Sequence, residues 1–206
     1  MSGPAPHGKP AFLGLTGAIA AGKSEALAAL EQLGAATLSS DAVVHELLET
    51  DRVRDLLAGR WGARVAPDGR LDRARIGEIV FSRPAELEWL EATLHPLVGE
   101  RIAVWGAQLP AATRIAVVEV PLLFETGMEA HFDATICVVA PEALRAERAE
   151  TRIAPGLAGR TGRQLSEEEK ARRATYVVRN DGSLEHLRDQ LAQVIDEFEA
   201  GAETRR

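Results

Sequence analysis

Two periods of apolar residues run through the chain. The run "FLGLTG" at 12–17 is short and almost wholly apolar, which predicts a buried strand. From Lys23 to Gln32 the spacing changes: Leu27, Leu30 and Leu33 fall on one helical face, and Gly34 closes the helix. "ATL" leads to Asp41, which reads as the cap of a helix over "AVVHELL", and Val53 to Trp61 reads as helix again. "PDGR" at 67–70 is turn chemistry, and the pattern from Arg73 to about Ala107 is helical. Two β-branched runs follow, "IAVVEVPLL" and "ATICVVA", of the kind buried in parallel sheets. An arginine-rich helix "APEALRAERAETR", a glycine-rich loop "IAPGLAGRTGRQ" and a helix "SEEEKARRA", with Ser166 and Glu169 spaced as a capping box, come next. "TYVVR" is a last strand before an amphipathic carboxy-terminal helix. Strands alternating with helices predict an α/β domain with a parallel sheet, and no internal repeat interrupts it.

The turn between the first strand and the first helix carries the chemistry. Gly17, Gly22, Lys23 and Ser24 fit GxxxxGK(S/T), with a buried strand before and a helix after. In that setting Gly17, Ala18, Ile19, Ala20, Ala21 and Gly22 can curl their N–H groups around phosphates. The helix amino terminus adds positive potential, Lys23 reaches the outer phosphates and Ser24 ligates Mg²⁺ through its hydroxyl. The pattern points to a nucleoside triphosphate without fixing the reaction. A guanine-binding switch protein would carry NKxD and DxxG segments, and a dinucleotide fold would carry GxGxxG; none occurs. Kinases and ATP-driven modules remain.

Composition narrows the setting. The chain has 206 residues, 46% hydrophobic and 27% charged, enough for one compact domain with a sizeable core. A net charge of -7 argues against broad nucleic-acid binding, so an anionic ligand must be met by a local cluster of donors. The single cysteine, Cys137, lies inside an apolar run and reads as a core residue. The first eleven residues lack the apolar segment of a signal peptide, and no stretch reaches the roughly 18 apolar residues of a membrane span. A soluble cytoplasmic protein is expected, a monomer with small-molecule partners, no nucleic acid and no membrane.

Further segments add a resemblance. "GLTGAIAAGKS", Asp41 in "LSSDAVVHELL", "IGEIVF", "LHPLV", "VPLLFE" and "ATYVVRNDGSLEHL" follow one another from about residue 12 to 190 in the order and near the spacing of the dephospho-coenzyme A kinase family, which this chain resembles. The resemblance implies a P-loop nucleotide kinase fold with a core of five parallel strands flanked by helices. It also implies a helical acceptor-binding region at about 42–110 and a lid at about 148–165, within one kinase domain over 10–206 behind a flexible tail at 1–9. It implies ATP-dependent phosphorylation of the ribose 3′-hydroxyl of dephospho-CoA, the final step of CoA biosynthesis, with ATP and Mg²⁺. Another small-molecule P-loop kinase, or a non-catalytic ATP-binding module, is the alternative.

Residue roles carry over with it. Asp41 matches the acid placed beside the acceptor hydroxyl, as general base or orienter, alongside its reading as a helix cap. His95, in the His-Pro pair, and Arg73 match acceptor-side positions. Arg148 and Arg152, four apart on one helical face, resemble lid arginines that neutralise the transferring phosphoryl group, with Arg160 and Arg163 as further candidates. Asn180 and Gly182 match a late turn beside the adenine of ATP. Three departures stand out. Ser39 replaces a family aspartate, with Glu119 as a substitute source of charge. Glu25 replaces a hydroxyl residue, placing an acid near the α-phosphate. Ala18 and Ala20 replace common glycines, which requires negative φ at both.

Overall fold

The computed structural model describes residues 9–152 and 164–204. In chain order they form β1 (Ala11–Gly17), α1 (Lys23–Gln32), β2 (Ala36–Ser39), α2 (Ser40–Leu47), α3 (Asp51–Trp61), α4 (Arg73–Ser82) and α5 (Pro84–Ala107). After these come β3 (Ile115–Glu119), β4 (Ala134–Val139), α6 (Glu142–Arg152), α7 (Glu167–Arg173), β5 (Tyr176–Arg179) and α8 (Leu184–Thr204). Contacts divide the chain into two compact units, Ser40–Gln108 and the chain on either side of it.

The first unit is built on a five-stranded sheet in the order β2-β3-β1-β4-β5, every pairing parallel. β1 lies between β3 and β4, so the chain leaves its carboxyl end at the switch point where open α/β sheets hold ligands. Side chains alternate across the sheet. Leu13, Leu15, Ile115, Val117, Ile136 and Val138 face a cluster completed by Leu30 of α1 and by Leu187, Leu191 and Phe198 of α8. The continuous burial of β3 and β4 is what the β-branched runs predicted. Cys137 is fully buried in β4, and burial pushes its thiol up to about 11, so it is an inert core side chain.

Local signals set several boundaries. α1 ends in a Schellman arrangement: Gly34, at φ 93, donates to the Glu31 carbonyl, and Ala35 donates to the Leu30 carbonyl. The Ser166 hydroxyl accepts from Glu169 N at 3.1 Å to start α7, but only half of the expected capping box forms, because the Glu169 carboxylate pairs with Arg173 and Arg172. α2 begins at Ser40, so Asp41 lies inside its first turn rather than at the cap. There its charge faces the positive end of the helix.

A charged pair is buried in the first unit. Lys170 on α7 is fully buried, with Nζ 2.6 Å from the Pro121 carbonyl and 3.0 Å from Glu125 Oε1, which also accepts from Leu165 N at 2.9 Å. The start of α7 is thereby tied to the turn that follows β3. Arg145 and Glu167 meet at 3.4 Å, and both bond the backbone of Ala140 at the end of β4.

The second unit is helical. Thr50 caps α3 by accepting from Val53 N, and Asp72 caps α4 by accepting from Ala74 N and Arg75 N. α2 and α4 both pack on α5, which buries Leu94, Leu97, Val98 and Ile102. Trp61 of α3 meets Trp89 of α5 edge-on with centroids 5.3 Å apart. Beside them Glu86 accepts two bonds from Arg60 and one, at 2.8 Å, from the Trp61 indole. The Arg60 bond first, then that of Trp61, holds the Glu86 carboxyl below its ordinary range. A depressed folded-state pKa contributes stability that is present above the unfolded value and is lost as pH falls through the folded one. Glu86→Gln should therefore melt below the parent protein at neutral pH, and the gap should close below about pH 4. A gap in melting temperature that stays constant down to about pH 3 would show that the charge is not what holds α3 to α5.

Candidate functional site

Residues 17–24 join the carboxyl end of β1 to α1, and their shape is set by close contacts. A Cβ at Gly17 would lie 2.4 Å from the Val138 carbonyl oxygen, so the chain passes β4 there only as glycine. Gly22 has φ 96, and a Cβ on it would lie 1.8 Å from Asn180 Nδ2. Between them Ala21 N donates to the Ala18 carbonyl at 3.2 Å, closing a tight turn. Ala20, inside that turn, has φ 60. The expectation of negative φ holds for Ala18 and fails for Ala20, a non-glycine residue held in the left-handed region at a cost of about 1–2 kcal/mol.

The charged groups of the loop are folded onto it. Lys23 Nζ donates to the Gly17 carbonyl at 3.3 Å and to the Ala18 carbonyl at 3.1 Å, so the ammonium lies across the turn. Ser24 is exposed at the second position of α1. Glu25 Oε2 is buried 3.3 Å from where a Cβ of Gly22 would sit, so the carboxylate is drawn back against the neck of the loop. Ile19 is half-buried on the turn. The ends of β2 and β3 add Ser39 and Glu119, which are register partners, and Glu119 is 9% exposed. A serine hydroxyl and one buried carboxylate suit Mg²⁺ carried on substrate phosphates better than a cage of protein ligands. Asn180 follows β5 and reaches back to the loop, its Nδ2 donating to the Ala21 carbonyl at 3.0 Å. Gly182, two residues on, lies in an exposed bend. Arg148 is half-buried on α6 with Nη1 shielded from solvent. The Arg152 side chain, Arg160 and Arg163 lie outside the described residues, as does most of the expected lid.

Asp41, Arg73 and His95 belong to the helical unit. Asp41 is exposed on α2, and His45 follows one turn later on the same face. Arg73, the first residue of α4, places Nη1 2.6 Å from His45 Nδ1 and Nη2 3.7 Å from Glu49 Oε1. A guanidinium can only donate, so His45 Nδ1 accepts and its proton sits on Nε2. His95 is exposed on α5 between the buried residues Leu94 and Leu97.

Residues 11–186 match the model of the family described as dephospho-CoA kinase. The chain belongs to the dephospho-CoA kinase family. A relative from Deinococcus radiodurans, named dephospho-CoA kinase, is 40% identical over 92% of this chain and 93% of its own. One of the same name from Thermus thermophilus is 36% identical, with 94% of each chain covered. A crystal structure of a Thermus thermophilus protein superposes with a TM-score of 0.75 at 35% identity, covering 92% of this chain and 98% of that one. The dephospho-CoA kinase of Campylobacter jejuni gives a TM-score of 0.67 at 26% identity, covering 93% and 98%. A gluconokinase from Sinorhizobium meliloti, at 17% identity and a TM-score of 0.52 over 96% of this chain and 98% of that one, shares the fold. The five-stranded parallel sheet and the P-loop kinase fold expected from the sequence are thus both present.

The strained alanine gives a direct test. Ala20→Gly removes the left-handed penalty but adds chain entropy to the unfolded state, for a net gain of about 0.5–1 kcal/mol, or roughly 2 °C in melting temperature. Ala20→Val should lose more than that, since a β-branched residue tolerates positive φ worst. Equal melting temperatures for all three proteins would show that the turn relaxes when no ligand holds it.

Proposed function

We propose that the protein transfers the γ-phosphoryl group of ATP to the ribose 3′-hydroxyl of dephospho-CoA, giving CoA and ADP, the last step of CoA biosynthesis. The observation that carries this reading is a phosphate-binding loop at the carboxyl end of the central strand, within a family match that spans residues 11–186. The work left to the protein is positioning and charge neutralisation.

The triphosphate rests on the N–H groups of residues 17–24, with Glu25 near the α-phosphate and the adenine beside the turn at Asn180 and Gly182. Lys23 exchanges its two carbonyl partners for the outer phosphates, a stronger charge-assisted contact. Mg²⁺, held by Ser24 with Glu119 nearby, supplies further neutralisation of the β- and γ-phosphates when bound. Asp41 accepts or orients the proton of the 3′-hydroxyl. As the bond from O3′ to the γ-phosphorus forms, the bond from that phosphorus to the bridging β,γ-oxygen breaks and ADP leaves. Arg148 and Arg152 neutralise the charge of the transferring group, and Arg73 and His95 contact the acceptor. The setting we assign is the cytoplasm, with the protein as a monomer. No helix of the described residues is long and apolar enough to cross a membrane.

Two substitutions test the assignment in a coupled ADP-release assay with dephospho-CoA, adenosine and nucleoside monophosphates as rival acceptors. Lys23→Ala should abolish transfer, and near-parental turnover at saturating ATP would overturn the phosphate role of the loop. Asp41→Asn keeps a polar side chain in the first turn of α2, so ATP affinity and melting temperature should hold while kcat falls about 10² or more. A variant that turns over within a few-fold of the parent would remove Asp41 from the reaction.

A further inference from the structure

The peptide between Ala21 and Gly22 is held from behind. Asn180 is 3% exposed, and its Nδ2 donates to the Ala21 carbonyl across 159 residues of chain. In a trans peptide the carbonyl and the following N–H point in opposite directions. Fixing the Ala21 oxygen toward Asn180 therefore aims the Gly22 N–H away from Asn180, toward the side of the loop that an anion would occupy. Asn180 is itself fixed at two points. Its own N–H bonds the Val139 carbonyl at 2.8 Å. The residue before it, Arg179, is bracketed by the Gln190 amide of α8, which accepts from Arg179 N and donates to the Arg179 carbonyl, both at 2.8 Å. The neighbouring Gly22 has no room for even a methyl group against the Asn180 amide.

We infer that Asn180 is a positioning residue for ATP binding: its side-chain amide sets the orientation of the Ala21–Gly22 peptide so that the loop meets the phosphates ready-formed. The contact is with the protein backbone, so Asn180 acts through the loop. Without the amide the peptide is free to rotate, and binding must then supply the ordering.

The inference rests on residues 17–24 being the phosphate cradle, and Lys23→Ala is the control that tests that reading separately. Asn180→Leu keeps the branched skeleton, with methyl groups in place of the amide oxygen and nitrogen, and removes the donor without adding charge. Calorimetry on the full chain with ATP·Mg²⁺ should show affinity about tenfold weaker, the scale of one buried hydrogen bond, with KM for dephospho-CoA within about twofold of the parent. ATP affinity within twofold of the parent, while Lys23→Ala loses binding, would overturn the role of Asn180 and leave the cradle intact. Normal affinity in both variants would overturn the two readings together. Should Asn180→Leu not fold, Asn180→Asp supplies the answer. Its carboxylate faces the Ala21 oxygen without a proton to donate, whereas the protonated acid donates as the amide does. The affinity ratio to the parent should recover as pH falls from about 8 to about 5.5, and a ratio that does not change with pH would overturn the inference.

Discussion

A phosphate-binding loop must hold a row of peptides with N–H groups pointing one way before any anion is there to stabilise them. Like dipoles side by side repel, and the loop has no ladder of its own to satisfy its backbone groups. This constraint explains why the contacts around residues 17–24 are so close. β4 approaches Gly17 until no Cβ fits, Lys23 bridges the Gly17 and Ala18 carbonyls, and Asn180 bonds a third from outside. Ala20 at positive φ is the residue of that geometry that its neighbours do not relieve.

The rest of the sheet unit serves the same end. β1 can deliver the loop to one place only because it is central and its neighbours are buried. Thr16, the next-to-last residue of β1 before the loop, is fully buried and donates to the Pro121 carbonyl, the same oxygen that Lys170 bonds. Removing one member of such a buried pair would cost about 3–5 kcal/mol, because the other charge would be left without its partner in a poorly solvated site. Glu125 and Lys170 thus connect the loop's supporting strand to the start of α7 through a single carbonyl.

What the sequence disclosed follows the range of the forces involved. The loop was legible because its motif, its strand and its helix are contiguous, and the buried runs of β3 and β4 were legible because burial on both faces leaves no alternation to misread. The strand order was not, since register is decided by pairings between distant segments. Asn180 reads as part of a turn when only its neighbours Asp181 and Gly182 are seen; its partner is 159 residues away. Lys170 sits in "SEEEKARRA", where every local cue places a lysine in solvent, yet it is the largest side chain fully buried in the described residues. The start of α2 was missed by two residues because Ser39, Ser40 and Asp41 are all good cap residues and local preference does not rank them.

Where the resemblance leads one to expect an aspartate the chain has Ser39, and we propose that Glu119 on the neighbouring strand supplies the charge instead. Ser39 and Glu119 are paired in register on adjacent parallel strands, so their side chains leave the sheet on the same face, about 4.8 Å apart at the backbone. A carboxylate at Glu119 therefore stands one strand spacing from where the missing one would be. At 9% exposure its carboxylate is largely withdrawn from solvent. The same unit has taken on a carboxylate at Glu25, against the neck of the loop.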